Sequence, residues 1–321
     1  MFKWLDFKIT NRCNNNCTYC AVDHDHPESP EILSLSQIRS TIKDAIDLGF
    51  THFAFLGGEP SVREDVERIF EPFSKHPLGC DVMVVTNGLL FRESLYRSLF
   101  DTKARRARIV FSMDSLRSPN FKNQDPLTSI QRILKIKAIA REYSGPDRER
   151  DISVHCVISR ENLLDFGSLV KMFSGYGVDV SLALVCPSNF LARGNPNSFN
   201  VFTYDELGAI LGQLRDLEKE GNLNFANQTL MEYLQLYPFG RLQMNTSCNA
   251  GREHVIINPD GGVFPCITES YDNGTCIGNI RDGSFREAYR RMEDFSCNRD
   301  FSPSCWDHYL WNRLGKLFEE G

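Results

Sequence analysis

Strand-like and helix-like patterns alternate through the first 185 residues, and this alternation limits the fold more than any single residue does. Residues 4–10 alternate as a half-buried strand does. Ser36 reads as a helix N-cap, with Ile38, Ile42, Ala45 and Ile46 at helical spacing and Gly49 as the stop. Further strands are predicted at 51–56, 82–86, 109–113, 153–158 and 180–185, separated by helices at 64–70, 90–100, 130–140 and 163–173. Six such β/α units with apolar strands and short loops predict an α/β chain built as a partial (β/α)6 barrel of the TIM kind. A doubly wound open sheet is the competing arrangement. In both, chemistry gathers at the C-terminal ends of the strands.

The alternation stops near Pro187. Asn189, Gly194, Asn195, Pro196 and Asn197 mark a loop, and two helical stretches follow at 204–218 and 230–236. Beyond Arg241 a hairpin pattern runs from 255–258 through Asp260-Gly261-Gly262 to 263–266. Three regions are therefore expected: a barrel over 1–186, a helical bridge over 187–240, and a small C-terminal domain with the hairpin over 241–321.

The chain is 41% hydrophobic with a net charge of −6, so nothing in its balance points to a nucleic acid partner. Asp6 stands where a secretory signal needs apolar residues, and no apolar run approaches the roughly 18 residues of a membrane span. A cytoplasmic location is expected. Eleven cysteines is a high and odd number, which suits reduced thiols at metal or catalytic sites better than a disulfide framework.

Cys13, Cys17 and Cys20 form a C-x3-C-x2-C run directly after the first strand. Three thiolates on one loop cover three corners of a [4Fe–4S] cube and leave the fourth iron open, whereas an electron-transfer cluster takes four cysteines. For the spacing alone, a zinc site or unrelated buried cysteines remain alternatives. With Tyr19 before the last cysteine, the run resembles the signature of the radical S-adenosylmethionine (SAM) superfamily. That resemblance implies a cluster whose open iron chelates SAM, reductive cleavage of SAM to a 5′-deoxyadenosyl radical, and abstraction of a substrate hydrogen.

Gly57-Gly58-Glu59-Pro60 follows the second strand, 37 residues beyond Cys20. Two glycines let backbone approach a ligand closely, and Glu59 offers a carboxylate to a cationic amine. The segment resembles the family's GGEP motif, which contacts the SAM amino group. Asn87 closes the third strand in Thr86-Asn87-Gly88, as in many family members. Ser112 and Asp114 end the fourth, where the family often places polar groups near the SAM ribose or carboxylate. Plain loop capping explains either residue equally well. His155 and Val157 on the fifth strand are candidates for the inner wall near SAM, although a lone His is more often a structural hydrogen-bonder. Residues 159–162 are candidates for adenosine contact.

Cys248 and Cys266 bracket the hairpin, and Cys276, Cys297 and Cys305 follow. The C-x17-C spacing, the DG turn, Pro265-Cys266 and Gly278-Asn279-Ile280 resemble the SPASM or twitch extension of radical SAM enzymes. That extension carries auxiliary [4Fe–4S] clusters. A full SPASM domain uses seven cysteines for two clusters, and here only five are present, with Asp300 near the position of a missing one. The resemblance thus implies one auxiliary cluster, on Cys248, Cys266, Cys297 and Cys305. Cys276 reads as a strand residue, and four thiolates would also satisfy zinc. Cys186 ends the sixth strand as a candidate hydrogen-atom donor. Arg193 is a candidate for binding substrate carboxylate or hydroxyl.

The expected function is radical oxidation of a substrate C–H bond, with the auxiliary cluster taking an electron away. The resemblance implies a reducing donor such as flavodoxin or ferredoxin. Tailoring of a ribosomal peptide by crosslinking or epimerisation is one substrate class; an aminocyclitol or aminoglycoside dehydrogenase or epimerase is the other. The short flanks leave no room for a peptide-recognition domain, so a peptide would need a separate recognition protein or direct capture. A non-catalytic iron–sulfur carrier is the reading from another class.

Overall fold

The computed structural model describes residues 3–17, 19–20, 22, 33–75, 79–116, 126–146, 149–185, 202–236, 250–271, 274–292 and 295. Six strands follow one another in the first part: β1 (Trp4–Lys8), β2 (His52–Leu56), β3 (Asp81–Thr86), β4 (Arg106–Ser112), β5 (Glu149–Ile158) and β6 (Asp179–Leu184). Between them run α1 (Leu35–Asp47), α2 (Glu71–Lys75), α3 (Glu93–Phe100), α4 (Pro126–Tyr143) and α5 (Phe166–Gly175). Next come α6 (Tyr204–Lys219), α7 (Phe225–Leu236), β7 (His254–Ile257), β8 (Gly262–Phe264), α8 (Ile267–Tyr271), β9 (Gly278–Asn279) and α9 (Phe285–Arg291).

All the strands belong to one sheet, ordered β6-β5-β4-β3-β2-β1-β7-β8-β9, and among the described residues it does not close. From β6 to β7 neighbours run parallel; β8 and β9 are antiparallel additions. One face carries Leu5, Phe7, Phe53, Phe55, Val82, Val84, Ile109, Phe111, Val154 and Cys156, which join the apolar residues of the helices in a single core. The opposite face is mixed: Asp6, Lys8, Arg108, Asp151, Ser153 and His155 share it with Ala54, Met83, Val85 and Val110. A doubly wound sheet would need helices on both faces and apolar side chains on each. An inner face rich in polar and charged side chains, with an apolar outer one covered by the helices, instead suits a partial barrel.

Two local expectations are corrected. Ser34, not Ser36, caps α1: its hydroxyl accepts from the Gln37 N–H at 3.3 Å, and the Gln37 side chain accepts from the Ser34 N–H at 2.9 Å. This reciprocal pair needs Ser and Gln three apart, which Ser36 does not offer. The segment 64–70 is no α-helix. It is a 3-10 turn over Val66–Phe70 that passes into α2, where Pro72 lacks the N–H needed to continue a longer helix through it.

Both flanks of the barrel sheet are covered. At β6, the buried Asn227 of α7 accepts from the Leu182 N–H at 2.9 Å and donates to the Val180 carbonyl at 2.8 Å. Asn224 donates to the same carbonyl at 2.7 Å. Two amide side chains thus stand in for a further strand. At the other flank β7 pairs with β1, placing Trp4 opposite His254 and Phe7 opposite Ile257. The C-terminal hairpin is therefore hydrogen-bonded onto the barrel. Helix α9 packs there too, with Phe285 and Tyr289 edge-on to Phe50 at 5.6 and 5.1 Å.

Candidate active site

The cysteine loop leaves the C-terminal end of β1, as its sequence position predicts. Its stem, Thr10–Arg12, lies against Gly57 and Gly58. Gly58 N–H donates to the Thr10 carbonyl at 2.7 Å and Glu59 N–H to the Arg12 carbonyl at 2.8 Å. A Cβ on Gly57 would lie 2.2 Å from the Thr10 carbonyl oxygen, and one on Gly58 equally close to that of Arg12. Gly57 also has φ +146°, which L side chains rarely adopt. The glycines do permit close approach, as expected. What approaches is the stem of the cysteine loop.

Glu59 is almost fully buried, at 1% exposure. Its carboxylate accepts from the Ser61 N–H at 3.0 Å, the Thr86 hydroxyl at 2.6 Å and the Asn87 N–H at 2.6 Å. The Asn87 side chain then donates to the Cys13 sulfur at 3.7 Å and to Asn14 Oδ1 at 2.9 Å. Glu59 therefore joins the ends of β2 and β3 and orders the donor that reaches the first cysteine. Asn15 supplies two more donors, its N–H to Cys13 Sγ and its side-chain amide to Cys17 Sγ, both at 3.4 Å.

On the other side of the loop, the Tyr19 hydroxyl donates to the Asp114 carboxylate. Asp114 also accepts from the Val157 N–H at 2.7 Å, and its carbonyl accepts from the buried Asn162 amide at 2.7 Å. Burial pushes the Asp114 carboxyl up to about 6, against the opposing effect of the Tyr19 and Val157 hydrogen bonds. Val157 thus engages Asp114 through its backbone. Cys156 is buried in the outer core, where its thiol donates to the Asp114 carbonyl at 3.6 Å. His155 lies on the inner face, with Nδ1 2.9 Å from the Ser181 hydroxyl. Burial lowers its pKa to about 4, so the ring is neutral near pH 7. Ser112 stands beside His155 in the β4–β5 register.

Residues 7–173 match the profile of the radical SAM superfamily. The chain belongs to that superfamily. Residues 248–307 match the SPASM iron–sulfur cluster-binding domain. The protein is thus a radical SAM enzyme with a SPASM-type C-terminal part; SAM and a [4Fe–4S] cluster belong to the first domain, iron–sulfur binding to the second.

Relatives agree on the family and differ in substrate. The chain is 34% identical over 143 residues to the GTP 3′,8-cyclase of Desulforamulus reducens, covering 42% of this chain and 43% of that one. It is 34% identical over 176 residues to the GTP 3′,8-cyclase of Syntrophomonas wolfei, covering 53% and 52%. These matches span about half the length of the curated relatives. Among solved structures, Streptococcus suis SuiB bound to precursor peptide SuiA superposes with TM-score 0.69 at 17% identity, over 93% of this chain and 68% of that one. Native anSMEcpe with bound AdoMet gives 0.64 at 19% identity, over 98% of each. At these identities the likeness establishes the fold.

The radical SAM loop has the donor chemistry that a [4Fe–4S] cluster asks for. Burial pushes the Cys17 thiol up to about 12, helped by nearby Cys20, Asp114 and Cys13, and raises Cys13 as well. Thiolates crowded in this way need a compensating cation, and three amide donors already point at their sulfurs. Among the described residues no three His, Cys, Asp or Glu side chains converge on a single ion. A cube spreads three thiolates over three iron corners, a wider arrangement than one zinc ion takes.

In the SPASM part, Cys266 is buried and its sulfur accepts from the Glu269 N–H at 3.4 Å. Cys276 is exposed, and its thiol donates to the Gly278 carbonyl at 3.2 Å. Cys186, Arg193, Cys248, Cys297 and Cys305 lie outside the described residues.

Two residues at this site escape sequence reasoning. Arg63 donates to the Ile9 carbonyl at 2.9 Å and the Leu33 carbonyl at 3.0 Å, so one guanidinium clamps both sides of the cysteine segment. Lys8 is buried on the inner face, and its Nζ donates to the Ser270 hydroxyl of α8 at 2.8 Å. Arg63 follows GGEP by three positions, the one signal that might have flagged it. Lys8 stands out only as a lysine in a strand otherwise poor in cations.

Proposed function

We propose that this radical SAM enzyme tailors a ribosomally made peptide by crosslinking or epimerisation. The observation that carries the reading is the fold shared over 93% of the chain with SuiB in its complex with a precursor peptide. The polar, open-sided inner face suits an extended substrate carrying many hydrogen-bonding groups.

In this reading Cys13, Cys17 and Cys20 hold the SAM-binding cluster. The chemistry such a cluster would supply, with SAM bound, is one-electron reductive cleavage of SAM leading to abstraction of a substrate hydrogen. The chain's own part is positional. Gly57, Gly58, Glu59, Pro60 and Asn87 fix the loop and line the SAM amino end; Glu59 has three of its roughly four acceptor sites filled, leaving about one for an ammonium. Ser112, Asp114, His155 and Val157 form the wall toward the ribose and adenine. A neutral His155 accepts or donates one hydrogen bond without adding charge. One auxiliary cluster is held by Cys248, Cys266, Cys297 and Cys305, because five cysteines cannot ligate two. Arg193 anchors substrate and Cys186 donates a hydrogen atom. A flavodoxin or ferredoxin supplies electrons, and the peptide is either presented by a separate protein or captured directly in the cleft.

The identity to GTP 3′,8-cyclases favours a second reading, a small-molecule substrate such as a nucleotide. One anaerobic experiment separates the two. The reconstituted enzyme is given SAM and dithionite with either GTP or the product of a small precursor-peptide gene beside its own. A peptide mass loss of about two hydrogens, or solvent deuterium at one α-carbon, together with 5′-deoxyadenosine, is expected. Turnover of GTP with an unchanged peptide would overturn the proposal.

A further inference from the structure

Lys8 has no part in the scheme above, yet it occupies an unusual place. It is 3% exposed, on the inner face of the strand that leads into the cysteine loop. Burial lowers its pKa to about 7, against the raising effect of Asp6, Cys20 and Asp260, so the charge is complete only below neutral pH. Its Nζ is anchored by Ser270 on α8, the helix that begins one residue after Cys266. Ser270 is itself tied down: its hydroxyl donates to the Ile267 carbonyl at 3.0 Å, and its carbonyl accepts from Asn258 Nδ2 at 3.5 Å. The β7–β8 hairpin, which carries Asn258 and Asp260 at its turn, also accepts at the Pro259 carbonyl from the Leu33 N–H at 3.0 Å. The C-terminal part therefore fixes where this ammonium stands relative to the first cysteine loop.

We infer that Lys8 is a positioning charge that raises the reduction potential of the cluster held by Cys13, Cys17 and Cys20, and that Ser270 sets its effect. A reduced cluster is one unit more negative than an oxidised one, so a fixed cation nearby favours reduction. As a general scale, two unit charges about 10 Å apart at an effective dielectric constant of about 20 alter each other's equilibria about tenfold. The SPASM segment would then tune the first cluster through a side chain it holds, apart from any electron it accepts. This inference rests on the ligand assignment proposed above.

The test is potentiometry of the reconstituted enzyme at about pH 6, where the Lys8 amine is charged, with the SAM-site cluster followed by its electron paramagnetic resonance signal. Lys8→Met keeps the side chain's length and loses its charge. It is expected to disfavour reduction about tenfold, a fall of about 59 mV for one electron, with iron content unchanged. Lys8→Arg is expected to restore most of the wild-type potential. Ser270→Ala, which keeps the ammonium but frees it, is expected to fall in the same direction by about threefold. A Lys8→Met enzyme that fills with iron and titrates at the wild-type potential overturns the inference. If that variant does not fold, an unmoved potential in Ser270→Ala overturns it equally. A wild-type chain that binds no [4Fe–4S] cluster would instead remove the ligand assignment, leaving a distinct and recognisable failure.

Discussion

At the scale of single residues, the site is a set of buried polar groups that hold one another. Asp114 is the clearest case. Its carboxyl titrates near 6 in the folded chain, because burial outweighs the hydrogen bonds from Tyr19 and Val157. An unfolded Asp titrates near ~3.9. Between these values the folded state keeps a proton that the unfolded state has lost. Asp114 therefore lowers stability as pH rises from about 4 to about 6. Asp114→Asn is expected to flatten that stretch of the stability curve, measured by urea unfolding of the cluster-free protein at several pH values. An unchanged slope would remove the assigned shift. The three cysteines and the GGEP run were legible because metal and cofactor chemistry demands particular side chains at particular spacing. Arg63 was not legible, since its partners are the carbonyls of Ile9 and Leu33, and only the folded backbone brings these together. For the same reason Glu59 was not legible as the clasp between Ser61, Thr86 and Asn87.

At the scale of elements, period and punctuation placed most of the strands and helices to within a few residues. They failed where a cap lay two positions earlier, at Ser34, and where Pro72 divides a helical-looking stretch into a 3-10 turn and a short helix. They also gave no sign that α7 seals an edge. Asn227 satisfies the Leu182 N–H and the Val180 carbonyl, both belonging to β6. Asn227→Ala would leave the Leu182 N–H without this partner, whereas the Val180 carbonyl keeps Asn224 as a donor, so one group goes unsatisfied at a cost of about 1–3 kcal/mol. The expected result is a cluster-free protein destabilised by about 1–3 kcal/mol in urea, with faster amide exchange at Leu182 than in the wild type. Exchange at wild-type rates would mean that Asn224 alone covers the edge.

At the scale of the whole molecule, two cluster domains share one sheet. If the auxiliary site uses Cys248, Cys266, Cys297 and Cys305, a fully loaded chain carries about eight irons. Cys266→Ala is expected to fall to about four, whereas Cys276→Ala keeps about eight; the opposite pattern would transfer the ligand role to Cys276. The sheet's extension was not legible locally, because a hairpin's sequence says which strands pair with each other and not which third strand they join. That third strand is β1, so Asp6 meets His254 across 248 positions of chain. Strand β1 lies between β2 and β7, and it is the strand that carries the cysteine loop. During synthesis its second flank stays bare until His254–Ile257 has emerged. A nascent or truncated chain ending before β7 would present that bare flank as a template for pairing with other chains. The strand that carries the cysteine loop is thus made well before its second neighbour, and iron delivered too early would reach a loop whose footing is only half built.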